Sequence, residues 1–165
     1  PCVEICPGEN TSNRTIEKTK EIFTASGASI VNVKKEIDGF ILNRLQGALL
    51  NEAMRLYSDG YASSDEIDVT IRDGLGLRWA FMGPFETIDL NAPGGIKDYI
   101  SRYGPIFVEM AKNQTKIPDW SEEAGKKLEL ERRKILSHNK LEDRAKKRNQ
   151  LLKTLRKVKI DNGEV

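Results

Sequence analysis

The sequence predicts a mainly α protein: a helical bundle over residues 36–165, preceded by a strand–helix–strand unit over residues 1–35 that closes a larger α/β sheet. Three observations predict it. Two short β-favouring runs flank a one-sided helical segment within the first 33 residues. From Phe40 to Leu56 the apolar residues then recur at helical spacing. Beyond that, Gly, Pro and Ser punctuate a series of further helical segments with no strand signal among them.

Taken in order, Val3 to Cys6 reads as a strand ending at Pro7-Gly8. Thr11 or Ser12 caps the helix that follows, in which Ile16, Lys20, Ile22 and Phe23 make one face. Gly27 suits the left-handed residue that ends it, and Ser29 to Val33 is a second strand. Strand, helix and strand in this length make a crossover unit, but two strands are too few for a stable sheet. After Asp38-Gly39 a long helix carries Phe40, Ile41, Leu45, Ala48, Leu49, Ala53 and Leu56. Leu42, Leu50, Met54 and Tyr57 widen that stripe, so the helix is expected to be largely buried. Ser63 and Glu66 form a capping box for a helix to Asp73. Gly74-Leu75-Gly76 is expected to be a tight turn, and Pro84 after Gly83 starts the next helix. Gly94-Gly95 separates it from a helix to about Asn113, disturbed at Gly104-Pro105. A linker at Ile117–Ser121 leads to one or two long charged helices between Glu122 and Lys157.

The net charge of +2 conceals an asymmetry. Between Lys126 and Lys159 there are 14 Lys/Arg against 4 Asp/Glu, a net of +10, which leaves −8 for the remainder. An acidic partner for the tail, or equally a basic helix against the acidic body of its own or a twin subunit, accounts for this. Leu128, Leu130, Ile135, Leu141, Leu151, Leu152 and Leu155 give the tail an apolar stripe. Trp120 is its nearest aromatic, so stacking platforms for bases are lacking and no nucleic-acid partner is expected. No run is apolar enough to span a membrane. Cys2 and Cys6, four apart on a strand, lie roughly 13 Å from each other and cannot pair. Free thiols favour a reducing, cytoplasmic setting. His138, the single histidine, stands in an exposed charged segment without a metal-spaced cluster, so no metal site is expected.

Two stretches carry chemistry: Asp38-Gly39-Phe40-Ile41-Leu42-Asn43-Arg44, and Gly74-Leu75-Gly76-Leu77-Arg78 running on to Gly83-Pro84. Asn is a poor residue for a helix interior, so Asn43 is there for packing or for a site. Glu4 stands on the first strand between Val3 and Ile5, where a carboxylate is costly to bury unless paired, so from the residues alone an exposed strand-end position is favoured over a site. Arg78 is either in an ion pair with Asp73 or Glu86 or free to clamp a carboxylate.

Together these stretches resemble the substrate-side helical domain of the 3-hydroxyacyl-CoA dehydrogenase family, over nearly the whole chain but only the back half of such an enzyme. The resemblance implies a Rossmann-type end at residues 1–35 and a bundle like the C-terminal domain of 6-phosphogluconate dehydrogenase at 36–165. It assigns Glu4 to orienting a catalytic His expected upstream of Pro1, and Asn43 to steadying the substrate oxygen. Arg78, in a turn that typically lacks a basic residue in fatty-acyl members, would grip the carboxylate of a small hydroxyacid, L-gulonate foremost. Arg44 is expected to tie helices together. NAD, bound by residues outside this chain, is the implied cofactor, and a homodimer the implied assembly. The Gly-rich segments here match no dinucleotide fingerprint, so the chain alone is expected to be inactive. The rivals are a 3-hydroxyacyl-CoA dehydrogenase and a non-enzymatic structural or interaction module.

Overall fold

The computed structural model describes residues 2–164. The chain forms two compact units, one up to Leu50 and one from Asn51 to Glu164. In the first, β1 (Cys2–Ile5) and β2 (Ser29–Asn32) pair in parallel across α1 (Asn13–Ala25), with Glu4 opposite Val31. Ser12 caps α1, its hydroxyl accepting from the Thr15 amide at 3.2 Å. Gly27, at φ 78, reverses the chain after it, and the Ala28 amide reaches back to the Phe23 carbonyl at 3.0 Å. Among the described residues of this unit only Ala28 and Val33 are buried, and α1 buries nothing. A two-stranded ladder offers too little surface to cover a helix face.

Helix α2 (Phe40–Ser58) starts from two left-handed residues, Gly39 at φ 80 and Phe40 at φ 50. Glycine adopts that conformation freely, whereas Phe40 pays about 1–3 kcal/mol of local strain. The expectation that α2 is largely buried is corrected. Of its apolar residues only Met54 is buried, while Leu42 and Leu45 are 53% and 61% exposed. Helical periodicity identifies the apolar face of a helix but not what covers it.

In the second unit, Gly60 at φ 78 reverses the chain after α2. The capping box at α3 (Ser64–Val69) is complete: the Ser63 hydroxyl accepts from the Glu66 amide, and Glu66 accepts from the Ser63 amide at 2.8 Å. Two expectations fail next. The helix does not stop at Asp73, and Gly74-Leu75-Gly76 is not a turn. The chain widens into a π-helical turn (Thr70–Leu75) and continues as α4 (Gly76–Trp79). Gly76 makes the wide turn possible, since its amide bonds the Ile71 carbonyl and a Cβ there would lie 2.8 Å from that oxygen.

Pro84 occupies the first turn of α5 (Pro84–Leu90), as expected, and α6 (Gly95–Asn113) follows the Gly94-Gly95 break. No interruption occurs at Gly104-Pro105. The proline sits inside α6, and Gly104 lacks the Cβ that would clash with its ring. The α6 start is held by two carboxylates: Asp89 accepts from the Ile96 amide at 2.6 Å and Asp98 from the Gly94 amide at 3.2 Å.

The basic tail divides into α7 (Glu122–Ile135), a 3-10 turn (His138–Lys140) and α8 (Leu141–Asp161). α7 lies on α3. Glu131 accepts from the Ser64 amide and hydroxyl at 2.7 and 2.8 Å, and Arg132 pairs with Asp68 at 3.2 Å and Asp65 at 3.7 Å. Lys127 stands 5.7 Å above the Tyr57 ring. The Ser64 bonds hold the Glu131 carboxyl below its ordinary value of 4.5. The Ser63 bonds do the same for Glu66. Both carboxylates therefore bind protons more weakly in the folded chain than in the unfolded one. Their contribution is complete above about pH 4.5 and is lost as pH falls through the lowered folded values.

Urea unfolding followed by circular dichroism should accordingly show a midpoint that drops between pH 5 and pH 3, with a smaller drop in Glu131→Gln. An identical drop in that variant would remove Glu131 from the account. Gly76→Ala should lower stability by about 1–3 kcal/mol through the clash with the Ile71 carbonyl. An unchanged midpoint would mean that the π turn relaxes without cost.

Candidate functional site

β1 carries Glu4 beside the start of α2. Its Oε1 accepts from the Ile41 amide at 3.0 Å and the Leu42 amide at 3.2 Å. These are first-turn donors that a helix cannot satisfy from within. The α2 entry has no cap of its own, because Gly39 has no side chain and the first turn has no acid. Glu4 takes the place of both. A negative group at this end also meets the positive end of the helix dipole.

Asn43 follows directly on the two clamped residues, exposed, and its side-chain amide has no hydrogen-bond partner among the described residues. Gly39 packs against it: a Cβ at that glycine would touch the Asn43 Cβ at 3.7 Å and the Arg44 Cγ at 3.6 Å. One turn thus brings together a half-buried carboxylate and a free carboxamide, one an acceptor and the other able to donate and accept. Arg44 does not tie helices together as expected. It is exposed and makes no ion pair among the described residues, because at this position α2 has no acidic neighbour within reach.

Arg78 lies in α4, in the second unit, also exposed. Neither Asp73 nor Glu86 pairs with it. Asp73 is occupied by Arg72, whose Nε and Nη2 meet its two oxygens at 2.9 and 2.8 Å. That fork holds the Asp73 carboxyl below its usual range and raises the Arg72 guanidinium. The Arg78 carbonyl meanwhile accepts from the Phe81 and Met82 amides at 3.0 and 3.1 Å and fixes the turn after α4. The arrangement leaves a guanidinium without a protein carboxylate.

The residues present do not fit the phosphates of a dinucleotide. Gly74 and Gly76 are helical, and the α6 start faces Asp89 and Asp98, which repel phosphate. No group of metal-ligating side chains occurs among the described residues, and His138 is exposed. Cys2 and Cys6 are both free thiols. A cleft of about 260 Å³ between Arg55, Asp59, Tyr61, Met110 and Gln114 holds none of the residues singled out above. Its charges are spent internally, Arg55 on Glu52 and the Lys116 carbonyl, Asp59 on the Lys116 ammonium. The bonds from Glu4 to α2 were not anticipated. The one local sign of them is a helix start lacking any cap.

Residues 39–135 match the family described as 3-hydroxyacyl-CoA dehydrogenase, C-terminal domain. Lambda-crystallin of Oryctolagus cuniculus is 44% identical over 121 residues, which cover 73% of this chain and 38% of that protein. An L-carnitine dehydrogenase of Pseudomonas putida is 47% identical over 108 residues, 65% of this chain and 34% of the relative. Among solved structures, 5-formyl-3-hydroxy-2-methylpyridine 4-carboxylic acid 5-dehydrogenase, described as an NAD+-dependent dismutase, aligns with a TM-score of 0.62 at 25% identity. That alignment covers 74% of this chain and 37% of the other. The chain therefore spans well under half the length of these proteins. A helical architecture entered from a parallel strand pair and a family match over 39–135 lead to the same place: the chain belongs to the 3-hydroxyacyl-CoA dehydrogenase family, whose C-terminal domain it carries.

Proposed function

We propose that the chain is the substrate-side and subunit-pairing part of an NAD-dependent dehydrogenase acting on a small 3-hydroxyacid, with L-gulonate the first candidate. The observation that carries the reading is the joined pair at the start of α2, Glu4 clamped to the helix and Asn43 left free beside it. In this reading Glu4 holds an imidazole supplied by residues outside this chain, so that the ring stays oriented to take the hydroxyl proton. Asn43 donates to the substrate oxygen and steadies the charge that builds there. NAD would be held by residues outside this chain, and the chain by itself should be inert.

Arg78 sets the substrate class. A guanidinium without a protein partner offers its two-pronged fork to a carboxylate. L-carnitine is itself a 3-hydroxy acid, and the solved relative acts on a carboxylic acid. An acyl-CoA thioester has no carboxylate to place there, which disfavours the acyl-CoA reading. A purely structural role has no use for the free Asn43 amide. The free thiols of Cys2 and Cys6 fit a reducing, cytoplasmic location. A homodimer is part of the proposal, since α2 and α6 each leave an apolar face open, Leu45 on one and Ile106 and Phe107 on the other.

In the full-length protein, Arg78→Ala should raise KM for the hydroxyacid about ten- to a hundredfold, the loss of one charged hydrogen-bonding pair, with a smaller change in kcat. An unchanged KM would remove the carboxylate clamp. Light scattering over a range of concentrations should give twice the chain mass. A monomer throughout would defeat the paired assembly.

A further inference from the structure

The structure assigns Glu4 a second task that pairing with an imidazole does not require: it is a positioning residue for Asn43. Its Oε1 takes both the Ile41 and Leu42 amides. The other oxygen, without a partner among the described residues, is left for the ring. One carboxylate thus fixes the substrate helix with one oxygen and the proton-transfer group with the other. The catalytic meaning of this rests on the dehydrogenase reading. The clamp itself does not.

Three features make the clamp more than a convenient cap. It spans 37 and 38 positions of sequence and joins a strand to a helix. It lands one residue before Asn43, so any rotation of the first turn of α2 moves that carboxamide directly. It also opposes local strain, because Phe40 stands at φ 50 immediately before the two clamped residues. Without an acceptor, Ile41 and Leu42 have no reason to face β1, and Phe40 is free to return to an ordinary φ. β1 can serve as the fixed end because β2 pairs along it, Val31 lying opposite Glu4.

Amide hydrogen exchange resolved by NMR on this chain tests the clamp without any turnover. Glu4→Ala should speed exchange at Ile41 and Leu42 about tenfold or more, in step with the loss of one strong hydrogen bond to a charged acceptor. In Glu4→Gln the side-chain carbonyl can still accept, and exchange should stay within about threefold of wild type. Amides of α1 should be unchanged in both. No acceleration in Glu4→Ala, or equal acceleration in Glu4→Gln, would overturn the clamp. In the full-length protein both variants should lose kcat, since neither retains the anion beside the imidazole. Only Glu4→Ala should also raise KM, about fivefold or more, through a displaced Asn43. Equal KM values in the two variants would overturn the positioning of Asn43. A protein that oxidises no hydroxyacid would sink the dehydrogenase reading and leave the exchange result standing.

Discussion

A helix opens with amide groups that its own backbone cannot satisfy, and this chain meets that demand largely with carboxylates, several of them brought from other elements. Glu4 reaches α2 from β1. Glu66 closes the start of α3 locally, while Glu131 arrives from α7 to take the Ser64 amide at the same end. Asp89 on α5 takes an amide of α6. Each such bond satisfies a donor and fixes one element against another at the same time. Negative side chains at these ends also face the favourable pole of the helix dipole. Part of the acidic excess outside the tail, Glu4, Glu66, Asp89 and Asp98, thus serves as helix caps.

The hydrophobic effect contributes less here than composition suggests. The buried apolar set among the described residues is Ala28, Val33, Met54 and Ala92, and no large side chain is fully enclosed. Leu42 and Leu45 on α2, Phe85 on α5 and Phe107 on α6 all stay half exposed or more. Apolar area in this quantity favours removal from water at roughly 25 cal/mol per Å², and patches of this kind mark contact surfaces. The relatives it resembles are more than twice as long as the matched segment.

How much of this was legible follows from the range of each interaction. The Ser63–Glu66 box, the Ser12 cap, the Gly27 and Gly60 reversals and the Pro84 start are all encoded within three or four residues, and the sequence displays them. The parallel strand pair was legible because the spacing demands a crossover. The Glu4 clamp was not, since its partners lie 37 and 38 positions away and nothing local names them. The π turn was misjudged because Gly74-Leu75-Gly76 has the composition of a helix breaker, while the structure uses Gly76 to let a helix widen. The burial of α2 was overestimated because a stripe states what a helix can bury, not what is present to bury it. Arg44 was given a tie that no neighbour supplies.

The separate fates of Arg72 and Arg78 show how local charge pairing can leave one guanidinium open. Asp73 is the nearest acid in sequence to both, and the adjacent Arg72 takes both of its oxygens. The lowered Asp73 carboxyl and raised Arg72 guanidinium each hold the other in the charged form, and Asp73 makes no bond to Arg78. Glu86, on α5, makes no bond to it either. An exposed ion pair has little net worth, so little stability would have been gained by closing Arg78 into one. A ligand carboxylate differs, because its binding can be backed by further contacts from the rest of the ligand. The π turn belongs to the same logic. Gly76 lets the helix widen between Arg72 and Arg78 without ending, so the two guanidinium groups leave different turns of one continuous segment, one neutralised by its neighbour and one not.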